Sequence, residues 1–130
     1  MGELVISKVD KIYQSRKAPV HAVKALDLVV KPGEIVALLG SSGCDKTSTL
    51  RMIAGFEDVS NGTIALDGKA IHTLPPARRG VAMAFEAYSL YPPLTIAENI
   101  SFALKSSKLS AAEQDSRVKA MADMLEISDI

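Results

Sequence analysis

Glu34-Ile-Val-Ala-Leu-Leu-Gly-Ser-Ser-Gly-Cys-Asp-Lys-Thr-Ser-Thr-Leu50 is the stretch on which the fold of this chain turns. Ile35 to Leu39 is an unbroken apolar run. It predicts a strand buried on both faces, as in a parallel sheet with helices on either side. Gly40 to Asp45 is a glycine-bearing loop, and Lys46 and Thr47 follow it. Leu50, Ile53 and Ala54 then recur at helical spacing, and Gly55 supplies a stop. Strand, loop and helix in this order are the setting that a Gly-x-x-x-x-Gly-Lys-Thr phosphate loop requires. In such a loop backbone N–H groups point at phosphate oxygens, and the helix N-terminus adds partial positive charge. Lys46 would neutralise the β- and γ-phosphates, and the Thr47 hydroxyl would hold Mg²⁺.

One residue departs from the motif. Its second glycine, directly before the lysine, is Asp45 here. Asp45 adds a Cβ and a negative charge where phosphates would lie. Two unit charges ~4 Å apart at an effective dielectric of about 20 interact by roughly 4 kcal/mol. Mg²⁺ would screen part of that repulsion.

Composition sets the outer bounds. The 130 residues amount to one domain or part of one, and 48% are hydrophobic, enough for a core. Lys+Arg and Asp+Glu balance at 15 each, so charge gives no support for a nucleic-acid partner. The single cysteine, Cys44, excludes an internal disulfide framework and fits a reducing compartment. Its place inside the loop gives it a backbone role rather than a redox one. No secretory signal pattern opens the chain, and the apolar runs are far shorter than the ~20 residues that span a bilayer. Any membrane association is therefore expected through a partner.

Upstream of the loop, Leu4 to Val9 and His21 to Val30 read as strands, and Lys31-Pro-Gly-Glu34 as a tight turn. They suggest an antiparallel β piece at the front of the fold. Downstream, Ser60-Asn-Gly62 and Asp67-Gly68 bracket a short strand, Thr63 to Leu66. Pro75 to Gly80 reads as a loop or one helical turn. Val81 to Phe85 reads as a second strand buried on both faces. The prolines of Leu90-Tyr-Pro-Pro-Leu94 exclude regular structure. Thr95-x-x-Glu98 and Ser110-x-x-Glu113 are capping boxes opening helices, the later one with Val118, Met121, Met124 and Leu125 on one stripe. His21 and His72 share no metal-ligand spacing with each other or with Cys44, and read as surface or packing residues.

In this order the pieces resemble the N-terminal half of an ABC transporter ATP-binding subunit, most narrowly the sugar and glycerol-type importer ATPases of bacteria. The matching residues are Tyr13, the Lys31 to Glu34 turn, Gly40 to Thr47, Leu50-Arg-Met-Ile-Ala-Gly55, Gly62, Asp67-Gly68, and Val81 to Ile100. The resemblance implies an α/β P-loop NTPase (ABC ATPase) core, with an antiparallel β piece and the start of the helical subdomain, in truncated form. Residues 1–130 would be a partial nucleotide-binding domain, carrying the phosphate-loop and Q-loop half. It implies ATP and Mg²⁺ as cofactors. Gly40, Ser41, Ser42, Gly43, Cys44, Asp45, Lys46, Thr47 and Ser48 would surround the phosphates, and Tyr13 would stack on the adenine. Thr47 and Glu86 would hold Mg²⁺. Glu86 stands where the family's Q-loop has glutamine, a second departure. Glutamate keeps the shape and can ligate Mg²⁺, but lacks the amide donor and adds a charge.

The implied partners are the transmembrane permease subunits, received by Tyr88 to Thr95, and a second ATPase subunit in a homodimer or heterodimer. The implied location is the cytoplasmic face of the inner membrane, as a peripheral protein. The function would be to couple ATP binding and hydrolysis to solute uptake. The family's Leu-Ser-Gly-Gly-Gln signature, Walker B Asp-Glu, D-loop and switch histidine do not occur in these 130 residues. The alternative is accordingly a catalytically inactive remnant or fragment with weakened ATP binding. A different P-loop class, such as a small kinase or GTPase, is opposed by the stretch Tyr91 to Asn99. The two doubly apolar strands also predict a core with one face partly bare.

Overall fold

The computed structural model describes residues 2–40, 44–85 and 90–129, and of Cys44 the backbone only. The chain forms two compact units, one ending at Met83 and one beginning at Ala84.

The first unit is built on an antiparallel sheet. Its strands are β1 (Leu4–Tyr13), β2 (Val20–Val30), β3 (Asn61–Leu66) and β4 (Lys69–Ala70), in spatial order β2-β1-β3-β4. The expected front strands are thus present, each longer than the sequence signals. Ile6, Val9, Val23 and Ile64 point to one face and are buried with Met52 and Ile71 as the core. Alternation along β1 is imperfect because the ladder carries bulges: the β1–β2 register slips between Ile6 and Val9 and again on either side of Lys11. Lys8 and Ala25 adopt positive φ of 47° and 42° there. Two carboxylates take up N–H groups at the irregularity, as buried or bulged backbone donors require. Asp27 accepts from Lys8 N–H at 2.8 Å, and Asp10 from Ala25 N–H at 3.0 Å.

Asp10 also meets His21 Nε2 at 2.8 Å. The Ala25 N–H first, and His21 second, hold its carboxyl below the ordinary 3.8. The sign follows: a depressed folded pKa stabilises the fold above pH 3.8, and that contribution disappears as pH falls through the lowered value. Melting temperatures of the wild type and Asp10→Asn, measured from about pH 6 to about pH 2, are expected to converge on acidification. Parallel curves over that range would mean that the carboxylate contributes nothing through its charge.

Helix α1 (Cys44–Ala54) follows the phosphate-loop sequence and packs on β2. It stops at Gly55, whose φ is +91°. Gly55 and Phe56 both donate to the Arg51 carbonyl, at 2.8 and 2.9 Å, a Schellman-type ending. The inward face differs from expectation. Met52 is 1% exposed and belongs to the core, whereas Leu50 is 47% exposed. Half-buried Ile53 flanks the core, and Ala54 is buried.

The two strands expected to be buried on both faces are not formed. Residues 34–40 and 81–85 have no regular secondary structure. Ile35 and Leu39 are 96% and 92% exposed, and Phe85 is exposed as well. The reason is pairing: among the described residues no strand runs beside either segment, so ladder bonds are not available, although Val81 still packs on the core.

Pro76–Arg78 forms one 3₁₀ turn, as the Pro75 to Gly80 sequence allows. In the second unit both capping boxes are made. Thr95 opens α2 (Ile96–Phe102) and Ser110 opens α3 (Ala111–Met124), each hydroxyl accepting from the N–H of the glutamate three residues on. In return the Thr95 N–H and hydroxyl donate to the Glu98 carboxylate, and the Ser110 hydroxyl and N–H to that of Glu113, holding both carboxyls below the usual range. The α3 stripe is only partly covered: Val118 is half-buried, while Met121, Met124 and Leu125 are exposed. Among the described residues no helix is long and apolar enough to cross a membrane.

Candidate functional site

Two elements bring the described candidate residues together. β1 ends at Tyr13, and α1 begins just after the loop. The Tyr13 hydroxyl lies 2.8 Å from Ser48 Oγ, in the first turns of α1. Ser48 is buried, so this bond fixes the end of β1 against the helix. Lys11 reinforces the arrangement. Its ammonium sits 4.8 Å from the centre of the Tyr13 ring, donates to the Asp58 carbonyl at 2.8 Å and pairs with Glu57 at 2.8 Å. One face of the ring thus carries a cation that is itself neutralised.

At the loop, Lys46 Nζ donates to the Gly40 carbonyl at 3.0 Å, spanning the mouth of the glycine stretch. Thr47 is exposed on the first turn of the helix. Thr49 Oγ1 turns inward and donates to the Asp45 carbonyl at 2.7 Å. Asp45 is exposed at the same helix end and shares with Lys46, Gly40 and Lys24 the lining of a cleft of about 250 Å³. An acid in the first turn favours the helix dipole by roughly 0.3–1 kcal/mol. Asp45 therefore has a local structural role, and it serves the same positive helix end that a phosphate would use.

Ser41, Ser42, Gly43 and Glu86 lie outside the described residues, as do Tyr88 and Ser89 at the start of the expected permease-facing stretch. In the rest of that stretch Leu90 and Tyr91 are exposed, and Tyr91 stacks on Phe102 with ring centres 4.5 Å apart. His21 lies at the surface and pairs with Asp10, while half-buried His72 has its Nδ1 3.3 Å from both the N–H and the carbonyl of Ile64. Among the described residues no group of three or more His, Cys, Asp or Glu side chains converges.

Arg79 is the residue that the sequence did not single out. It is 4% exposed. Its guanidinium donates from Nη1 to the Met52 carbonyl at 2.7 Å and the Ile53 carbonyl at 3.3 Å. It also donates from Nε to the Leu74 carbonyl at 2.8 Å and from Nη2 to the His72 carbonyl at 3.0 Å. Burial pushes its pKa down, with the charge of Asp58 acting the other way. Met52 and Ile53 lie in the last turn of α1, where carbonyls lack helical partners and the dipole is negative. A helix that stops at Gly55 advertises that need, but nothing in Pro75-Pro-Ala-Arg-Arg-Gly80 distinguishes Arg79 from exposed Arg78.

The strand-ended tyrosine, the loop lysine and the helix below it define the class. This chain belongs to the ABC transporter family, whose model matches residues 23–130. It is 46% identical, over 95% of its length, to the spermidine/putrescine import ATP-binding protein PotA of Thermobifida fusca (strain YX), and spans 32% of that protein. It is 43% identical, over 98% of its length, to the sn-glycerol-3-phosphate import ATP-binding protein UgpC 1 of Rhizobium johnstonii, and spans 33% of it. The relatives thus extend beyond the sugar and glycerol types to a polyamine type. Its structure matches the dimeric ATP-binding cassette MJ0796 bound to ADP and Pi, with a TM-score of 0.81 and 25% identity, covering 95% of this chain and 57% of that one. The chain spans about a third of the length of these curated relatives.

Proposed function

We propose that residues 1–130 are the phosphate-loop and Q-loop part of the ATP-binding subunit of a bacterial importer. The observation that carries this reading is the Tyr13–Ser48 bond, which holds an aromatic ring beside the helix that begins at the phosphate loop. The donor set fits a nucleotide. Lys46 already bonds an oxygen across the loop mouth, and the Thr47 hydroxyl is open to solvent. Backbone N–H groups of Gly40 to Cys44, with Lys46 and Ser48, would hold the phosphates of ATP. Tyr13 would stack the adenine on the ring face opposite Lys11. Thr47 and Glu86 would hold Mg²⁺, which supplies neutralisation of the β- and γ-phosphates. The permease would be received by Tyr88 to Thr95, and two such subunits would work as a pair at the cytoplasmic face of the membrane.

A second reading concerns present activity and has its own observations. Asp45 at the phosphate end of the helix and the unpaired, exposed Ile35 and Leu39 favour a form that binds nucleotide weakly and does not hydrolyse it. Calorimetric titration with Mg²⁺-ATP tests the first reading. Measurable binding is expected, retained in Tyr13→Phe, which keeps the ring, and weakened in Tyr13→Ala. Equal affinity of the wild type and Tyr13→Ala would remove the base from Tyr13. Phosphate release tests the second. With the Asp45 carboxylate set at the end of the helix where phosphates would lie, release at background rate is expected. A turnover near the enzymatic range, about 1 s⁻¹ or more, would overturn it.

A further inference from the structure

We propose that Arg79 is a positioning residue for the phosphate loop: it locks the far end of α1 so that Lys46 and Thr47 are held in place at the near end. The helix is 11 residues long, so at ~1.5 Å per residue it is a rod of about 16 Å. The rod is held at three points. Near its start, Ser48 is bonded to Tyr13. In its last turn, Met52 is sunk in the core. At its end, Arg79 binds the carbonyls of Met52 and Ile53 and carries the same guanidinium to Leu74 and His72, which lie beyond β4. The Met52 side chain holds the last turn by packing alone, and the guanidinium adds directed bonds to the final carbonyls of that turn.

The close approach at Gly55 makes the lock specific. A Cβ on Gly55 would stand 2.6 Å from Arg79 Nε and 2.8 Å from its Cζ. Glycine at this position therefore serves both the positive φ and the seating of the guanidinium. A lysine in place of Arg79 offers one ammonium and cannot reproduce donors fixed in a planar fork. Arg79 touches no candidate ligand site. Its influence on the loop passes through the helix alone.

The test uses Arg79→Lys, Arg79→Met and, as a variant that keeps the charge but displaces it, Gly55→Ala. Asp10→Asn serves as a control that loosens the β1–β2 bulge through its bonds to His21 and Ala25. Amide hydrogen exchange is read across residues 48–54, and Mg²⁺-ATP affinity is read well below each melting temperature. The expected result is faster exchange confined to α1 in all three variants. Affinity should fall about 5-fold or more, the low end of coupling between a remote residue and a site. Asp10→Asn is expected to lower the melting temperature without either effect. Unchanged α1 exchange in Arg79→Lys and Gly55→Ala would overturn the proposal, and so would an equal affinity loss in Asp10→Asn. The affinity arm rests on Lys46 and Thr47 forming a phosphate site. If the wild type binds no nucleotide, that reading fails by itself, and the exchange arm still decides whether Arg79 locks the helix.

Discussion

Replacing Asp45 by glycine is expected to tighten Mg²⁺-ATP binding by roughly tenfold to a hundredfold, about 1.4–2.8 kcal/mol. The gross repulsion between a carboxylate and a phosphate at contact distance is larger, but Asp45 is exposed and water and Mg²⁺ screen it. The same substitution should act on the free protein with the opposite sign. It removes an acid from the first turn of α1, about 0.3–1 kcal/mol of dipole stabilisation, and puts glycine into a helix, a further few tenths. The nucleotide-free Asp45→Gly variant should therefore melt several degrees lower, at about 4–8 °C per kcal/mol for a unit of this size. Calorimetry at low and high salt checks the binding arm. The gain in affinity should shrink as salt rises, since screening weakens what the carboxylate opposes. Equal affinities for the two forms would mean that the carboxylate turns away from the phosphates. A gain independent of salt would assign the effect to the extra Cβ instead.

That opposition of signs explains why the sequence could show the conflict at Asp45 but not its structural role. Motif comparison marks the residue as a departure, whereas its service to the helix end emerges only once α1 is seen to start at Cys44. Signals carried by local chemistry were legible throughout. Both capping boxes, the Gly55 stop and the turn at Asp67-Gly68 depend on residues within a few positions of one another. The first strands were legible too, although the bulges at Lys8 and Ala25 blurred their alternation and shortened their expected ends. That Tyr13 lies beside the loop helix, bonded to Ser48, emerges only from the structure. What failed was inference from demand to supply. The apolar runs Ile35 to Leu39 and Val81 to Phe85 state that a strand needs cover on both faces. They do not state that neighbours will be there, and among the described residues none are. Arg79 was missed for a related reason. The α1 carbonyls require a donor, but which distant residue supplies it depends on where the chain after β4 returns.

Truncating Met52 to alanine is expected to cost about 2–5 kcal/mol, the range for large-to-small changes at fully buried aliphatic sites. Met52 is the α1 side chain that enters the core cluster, among Ile6, Val9, Val23, Ile64 and Ile71. Losing its thioether would open a cavity where the phosphate-loop helix meets the sheet. A domain of ordinary stability has about 5–15 kcal/mol in total, so the melting temperature should fall by at least about 10 °C. Met52→Leu nearly conserves volume and should stay within about 1.5 kcal/mol of the wild type. Leu50→Ala is the informative contrast. Helical spacing in the sequence puts Leu50 on the inward stripe with Ile53 and Ala54, but in the structure it is half exposed and Met52 takes the core position. Its truncation should change stability by no more than about 0.5 kcal/mol, as expected of an exposed site. Thermal denaturation followed by far-ultraviolet dichroism orders the three variants. If Leu50→Ala lost as much as Met52→Ala, the buried face of α1 would be the one the spacing suggested. The helix would then be rotated on the sheet, and Ser48 could not keep its bond to Tyr13.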